Sequence, residues 1–339
     1  MAEGRVRVLS PRVRDLERGE PVSTHHPNSG ASVLFISGLS YAASSCCLTL
    51  LNKHALAGFG FSAPNALLFF QCALTVVLVK ACEVLGLIKP LQPLRRELVL
   101  VWFPVNLLFV AMIGSSFYAL KLVGVGMVTV WKNLSNFVTA MGDLFLFGKT
   151  YSWPVWGTLF LMLGSALVGA SSDARFTWAG YGWQLVNCLC TSAYALYLRS
   201  VMDKVAEHTT NKQRMDEFSM VYYNNLLSLP CIAGLMMAFG ELPSLSSQPA
   251  LHNPVFLAVA GAGGLIGFAI SFSSLWFMSQ TTATIYSLVG ALNKIPVAIV
   301  GLLVFHEPTN PKNAASIAIG LLAGVLFVQA KQMAPTGRK

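Results

Sequence analysis

Residues 253–279, NPVFLAVAGAGGLIGFAISFSSLWFMS, contain no Asp, Glu, Lys or Arg. A helix that crosses a lipid bilayer needs about 20 mainly apolar residues, so this stretch is long enough to span a membrane. The whole chain follows the same trend, because 55% of its residues are hydrophobic and 11% are charged. Soluble domains carry about 25% charged residues. The composition therefore indicates an integral membrane protein.

Comparable apolar segments recur along the chain and are separated by short stretches of charged, Gly or Pro residues. We predict an all-α membrane protein with ten transmembrane helices. The predicted segments are 32–52, 63–86, 98–119, 123–147, 153–171, 178–200, 217–240, 253–279, 282–305 and 313–331.

The distribution of basic residues predicts the orientation of these helices. Loops on the cytosolic side of a membrane carry an excess of Lys and Arg. Most of the 23 basic residues share one side if the N-terminus is cytosolic, and an even number of helices then makes the C-terminus cytosolic too. Residues 1–31, rich in Arg and Pro, are expected to form a disordered cytosolic tail, and 332–339 a second tail. The net charge of +9 follows from this topology and does not indicate nucleic-acid binding.

The two halves of the hydrophobic region resemble each other. Met127–Ala170 contains Lys132, the run LFLF, a short polar turn and a Gly-rich helix, and Ile285–Ala330 contains Lys294, the run LLVF, a polar turn and a Gly-rich helix. This predicts two five-helix repeats, 32–171 and 172–331, with inverted orientations. Inverted repeats are typical of secondary transporters, which bind their substrates near the membrane midplane, between the repeats.

Three lysines lie within predicted spans, where a charge is costly and usually functional. Lys80 is near a cytosolic helix end and can extend to the interface. Lys132 and Lys294 lie deeper, and no carboxylate is predicted beside either one. They are candidates for binding a phosphate or pyrophosphate. The alternative is that backbone carbonyls or water satisfy them.

Polar side chains accompany these lysines. Asn133 follows Lys132, and Tyr222-Tyr223-Asn224-Asn225 lies in the seventh segment. An amide offers a donor and an acceptor, which suits the edge of a nucleobase. Hydrogen bonding between helices is an equally good explanation for the Asn pair alone.

The ninth segment contains a stripe of polar and small residues at helical spacing, which favours a binding groove. Its members are Tyr286, Gly290, Ala291, Asn293 and Lys294.

Two motifs are similar to those of a known family. Gly290–Lys294 reads GALNK, and Tyr222–Asn225 resembles the FYNN motif with Tyr222 in place of Phe. Met127–Asn133 resembles the helix-4 signature of plant-type members. On these motifs the chain, from about Leu34 to Ala330, resembles the Golgi GDP-mannose transporters, which are nucleotide-sugar transporters of the drug/metabolite transporter superfamily.

The resemblance implies a multi-pass Golgi membrane protein that exchanges luminal GMP for cytosolic GDP-mannose. It implies that Asn224 and Asn225 bind guanine with help from Ser271. The residues implied for the sugar and phosphate are Tyr41, Tyr286, Gly290, Ala291 and Lys294.

Other functions remain open at this point. The same fold could carry a UDP-sugar or a phosphorylated metabolite. An enzyme is disfavoured because Asp143 is almost the only acidic residue within the predicted spans, and a receptor would not need buried lysines. The seven cysteines have no metal-binding spacing, so no metal or cofactor is expected. The sequence leaves the oligomeric state open, a homo-oligomer included.

Overall fold

The structure is a computed structural model that describes residues 31–148, 150–210, 212–213, 215–280, 289–305 and 309–333. These residues form helices joined by short connections, and no strand occurs among them. The long helices are α1 (Ala31–Lys53), α2 (Pro64–Val84), α3 (Arg96–Leu122), α4 (Val125–Phe147), α5 (Trp153–Ser172), α6 (Trp178–His208), α7 (Glu217–Ala238), α8 (Pro254–Gln280), α9 (Lys294–Val304) and α10 (Pro311–Met333).

Six helices in the described part of the chain are long and apolar enough to cross a membrane. They are α1, α2, α3, α5, α8 and α10. Helices α4, α6 and α7 are also long, but polar residues interrupt their apolar surface. The ends of α4 and α7 lie close to the predicted boundaries, whereas α6 continues to His208, beyond the predicted segment 178–200. The prediction of an integral membrane protein is thus supported by helix length and composition.

Local sequence explains where several helices begin and end. Asp216 accepts a hydrogen bond from Ser219 N (3.0 Å) and caps the start of α7. Thr177 does the same for α6 through Gly180 N. Gly148 ends α4 with φ +61°, a left-handed conformation that glycine adopts without strain.

Contacts between helix ends establish one side of the bundle, which we call the far side. At the end of α1, Lys53 Nζ donates to Leu120 O (2.8 Å) and Val123 O (2.7 Å), at the end of α3. At the start of α10, Asn313 Nδ2 donates to Gly169 O (2.9 Å), near the end of α5. The starts of α4 and α10 and the ends of α1, α3 and α5 therefore lie on the far side.

The opposite side, where α1 begins and α10 ends, is called the terminus side. The start of α1 packs against the end of α8 there, since a Cβ atom at Gly38 would lie 3.0 Å from the Phe277 ring. Tyr223, near the start of α7, donates from its hydroxyl to Pro93 O (2.5 Å), just before α3. Helices that follow one another along the chain therefore alternate in direction, as expected for a chain that crosses a membrane repeatedly.

Candidate functional site

A cavity of about 240 Å³ lies between α1, α4, α10 and the segment that leads into α9. Four of its residues were predicted from the motifs around the lysines and one from the family resemblance alone. It is lined by Tyr41, Asn133, Asn136, Gly290, Ala291, Lys294, Gly324, Phe327 and Val328.

Lys294 is held at the cavity by a side chain from the other half of the protein. Its Nζ donates to Asn133 Oδ1 at 2.5 Å, and Asn133 Nδ2 donates in turn to Gly320 O at 3.1 Å. Asn133 is 1% exposed, so its amide is fixed by these two contacts. Two residues predicted for the binding site, one in each half of the chain, are thus in direct contact.

Gly324 makes room for this arrangement. A Cβ atom at position 324 would lie 2.6 Å from Asn133 Nδ2, closer than ordinary packing allows. The absence of a side chain on α10 therefore permits Asn133 to reach Lys294.

Lys132, also predicted as a binding residue, is half-buried on α4 beside Asn133 and is not among the residues that line the cavity. Within the described residues its ammonium group has no hydrogen-bond or ion-pair partner, and it lies near enough to Lys294 for the two charges to repel each other. Lys294 has no acidic partner among those residues either. Two cations without a protein counter-charge attract an anion.

Tyr41 and Gly290 face each other across the cavity. A Cβ atom at Gly290 would lie 3.5 Å from the Tyr41 hydroxyl, so the tyrosine closely approaches the backbone of the GALNK motif. The Tyr41 ring stacks on Phe277 of α8, with centroids 6.1 Å apart. Ala291 is buried at the cavity wall.

Asn293, predicted as a binding residue, is buried and does not line the cavity. Its carbonyl oxygen accepts a hydrogen bond from the Cys46 thiol (3.5 Å), and its Nδ2 has no partner among the described residues. Adjacent residues on a helix point about 100° apart, so Lys294 can face the cavity while Asn293 does not. Tyr286 lies outside the described residues.

The predicted guanine-binding residues are engaged with protein groups rather than with the cavity. Asn224 Oδ1 accepts from Trp102 Nε1 (2.9 Å), and Asn224 Nδ2 donates to the Tyr194 hydroxyl (3.0 Å). Asn225 Nδ2 donates to Val221 O (2.7 Å), one turn back on its own helix.

Ser271 bonds in the same way to Gly267 O (3.2 Å) on α8. None of the three predicted guanine contacts is among the cavity-lining residues. The structure therefore brings together the lysine and GALNK part of the predicted site but not its nucleobase part.

Four cavity residues were not predicted as binding residues: Asn136, Gly324, Phe327 and Val328. Asn136 was visible as a polar residue in a membrane helix. The last three lie in an ordinary apolar, Gly-containing stretch, and nothing in that stretch distinguishes a cavity wall from a lipid-facing or packed surface.

On its far side the cavity ends at a packed apolar cluster. Its members on α4, α9 and α10 include Val128, Val130, Val297, Ala298 and Leu321. All five are at most 6% exposed. They lie between the lysines and the far side, so the cavity is closed in that direction.

A buried carboxylate strengthens the closure of the far side. Glu241 follows α7 and is 5% exposed. It accepts hydrogen bonds from Asn65 Nδ2 (2.8 Å), Ala66 N (3.0 Å) and the Tyr118 hydroxyl (3.1 Å). A carboxylate is stabilised by the free N–H groups at a helix start. Glu241 thus ties the end of α7 to the start of α2 and the end of α3.

Comparisons with known proteins show the family to which the chain belongs. Residues 31–328 match the Triose-phosphate Transporter family. The chain is 44% identical to GDP-mannose transporter GONST1 of Arabidopsis thaliana, over 94% of this chain and 96% of that one. It is 41% identical to GDP-mannose transporter GONST2 of the same plant, over 87% and 78%. A GDP-mannose transporter of Aspergillus terreus is 32% identical, over 86% and 79%.

A solved crystal structure has the same fold. It is 13% identical in sequence and superposes with a TM-score of 0.55, covering 89% of this chain and 98% of that one. The family match covers nearly all the described helices, and the named relatives align along most of their own length. This chain belongs to the Triose-phosphate Transporter family and is similar to GDP-mannose transporters of plants and fungi along most of its length.

Proposed function

We propose that this protein is an antiporter that carries GDP-mannose across a Golgi membrane in exchange for GMP. The observation that carries the proposal is the cavity lined by Lys294, whose ammonium group has no carboxylate partner among the described residues. A second such ammonium group, that of Lys132, lies close to it. The names of the relatives favour GDP-mannose over other phosphorylated substrates.

The chemistry of the cavity fits a phosphate-containing substrate. GDP-mannose and GMP both carry guanine and a phosphate on the ribose, so one site can accept either. The phosphate would supply the negative charge that Lys132 and Lys294 lack. Without a substrate, their mutual repulsion and desolvation remain unrelieved, which disfavours reorientation of the empty carrier and couples import to export.

Helix packing supports the proposed five-plus-five repeat, in which each helix corresponds to the helix five places later. The contact of α1 with α8 has its counterpart in the contact of α6 with α3. The contact of α2 with α8 likewise corresponds to that of α7 with α3, and α2·α7 and α5·α10 are pairs of equivalent helices. Such symmetry is expected of a carrier that alternates between two related conformations.

In this proposal the terminus side is cytosolic, and residues 1–31 and 332–339 are cytosolic tails. The packed cluster and the Glu241 contacts close the far, luminal side, so the conformation corresponds to a carrier that is closed to the lumen. Import would require the far-side contacts to break and the terminus side to close.

We retain Asn224, Asn225 and Ser271 as the proposed guanine contacts. Asn224 would have to exchange its bonds to Trp102 and Tyr194 for bonds to the base. This exchange would leave the number of hydrogen bonds made by the Asn224 side chain unchanged. It would also couple binding of the base to movement of α3 and α6 against α7.

The direct test is uptake of labelled GDP-mannose into liposomes that contain the purified protein and are preloaded with GMP, UMP or buffer. We expect uptake with internal GMP and little with UMP or buffer. Equal uptake with internal UMP would refute the proposed selectivity for guanine. No uptake of GDP-mannose by folded protein under any condition would refute the proposal, and labelled UDP-sugars and triose phosphate would then be tested in the same liposomes.

The role of the lysine pair is tested by Lys294→Ala, for which we expect exchange to be abolished. Lys80→Ala is the matched control, because Lys80 is half-exposed and pairs with Glu83 (2.6 Å) on the same helix. Full exchange by folded Lys294→Ala protein would refute the proposed phosphate contact.

The Golgi location is tested separately by imaging a fluorescent fusion against Golgi and plastid markers.

A further inference from the structure

Asn136 lines the cavity and has no role in the proposed exchange of GDP-mannose for GMP. It lies on α4, three residues after Asn133, which places it about 4.5 Å further along the helix axis. Because α4 runs from the far side to the terminus side, Asn136 is on the terminus side of the Lys294–Asn133 contact.

The amide of Asn136 differs from those of Asn133 and Asn224. Asn133 and Asn224 each use both the oxygen and the nitrogen of the side chain in bonds to protein groups. Asn136 makes no side-chain hydrogen bond with any residue that the structure describes. An amide within a membrane protein needs partners for its donor and acceptor, and a molecule in the cavity can supply both.

The cavity wall beside Asn136 is apolar. Phe327 and Val328 of α10 line the cavity with apolar atoms, and Gly290 and Ala291 add little bulk. A pyranose ring has hydroxyl groups at its rim and C–H groups on its faces. One apolar wall with one free amide beside it suits such a ring better than it suits a flat, highly polar base.

We propose that Asn136 binds the sugar hydroxyls and sets the sugar specificity, an inference that rests on the proposed transport of nucleotide-sugars. With the phosphate on Lys294, a sugar attached to it would extend toward the terminus side and reach Asn136. The amide oxygen accepts from one hydroxyl while the nitrogen donates to its neighbour. GMP has no sugar beyond its phosphate, so it makes no such contact.

The test compares Asn136→Ala with wild-type protein in liposomes, with GDP-mannose, GDP-glucose and GMP as substrates. Removing two neutral hydrogen bonds should lower efficiency for GDP-mannose about 10-fold more than for GMP. We also expect the preference between GDP-mannose and GDP-glucose, which differ at one hydroxyl, to shrink. Thr139→Ala is the matched control, because the Thr139 hydroxyl bonds to Ser135 O (2.8 Å) on the same helix and does not line the cavity.

Equal losses for GDP-mannose and GMP, or no loss for either, would overturn the assignment. Asn136→Ser keeps a polar group but cannot bridge two hydroxyls, so it should give the same pattern if the Ala variant does not fold. Failure of wild-type protein to exchange any nucleotide would overturn the proposed function and this inference together, whereas GMP exchange with unchanged sugar preference in the variants would overturn the inference alone.

Discussion

The substitution Gly324→Ala tests whether the position of Lys294 depends on Asn133. The new Cβ atom would lie 2.6 Å from Asn133 Nδ2, whereas ordinary contacts begin at 3.4 Å, so one of the two must move by about 0.8 Å. Asn133 is 1% exposed and bonded to Gly320 O, which leaves it little room. Overpacking of this kind costs about 1–3 kcal/mol.

The shift should weaken the contact that holds the Lys294 ammonium group. If about 1.4 kcal/mol of this cost appears in substrate binding, affinity falls about 10-fold. We therefore expect KM for GMP and for GDP-mannose to rise about 10-fold in GMP-loaded liposomes, with unchanged orientation of the protein in the membrane.

Gly164→Ala is the control for the change of residue type. Gly164 lies in α5, which packs against α10, and a Cβ atom there meets nothing within 4 Å. Alanine favours helix over glycine by about 1 kcal/mol, so this variant should be neutral or slightly more stable. Wild-type KM and stability in Gly324→Ala, or an equal loss in Gly164→Ala, would refute the reasoning.

Two further predictions concern buried polar groups. Glu241→Gln places an NH₂ group against the N–H donors at the start of α2. We expect the free energy of unfolding, measured by thermal unfolding in detergent, to fall by about 1–3 kcal/mol. Unchanged stability would show that the carboxylate does not hold the far side together. Asn224→Ala removes the acceptor of Trp102 and the donor to Tyr194, so stability should fall by about 2 kcal/mol. A transport defect without any loss of stability would instead show that Asn224 acts on the substrate alone.

Family membership could be predicted from the GALNK and FYNN-like motifs, and the comparisons confirm it. The helices could be predicted as well, because the need for about 20 apolar residues per span is a local property of the chain. The ends were less predictable. The charged and polar extension of α6 to His208 continues a helix past its apolar part, and hydropathy does not report on that.

The sequence alone determined that the chain is a helical membrane protein, because the composition of each segment is a local property. It also identified Lys132 and Lys294 as candidate functional residues, because a charge within a membrane span is costly. Only the tertiary structure decided which side chains meet. Asn133 and Lys294 are 161 positions apart, and Asn224 turns to Trp102, 122 positions away. Such contacts depend on how each helix is rotated about its axis and which neighbours it has. A membrane helix of mixed Gly, Ala, Phe and Val can face lipid, a neighbouring helix or a cavity with the same composition, so the cavity wall at Gly324, Phe327 and Val328 was set by packing.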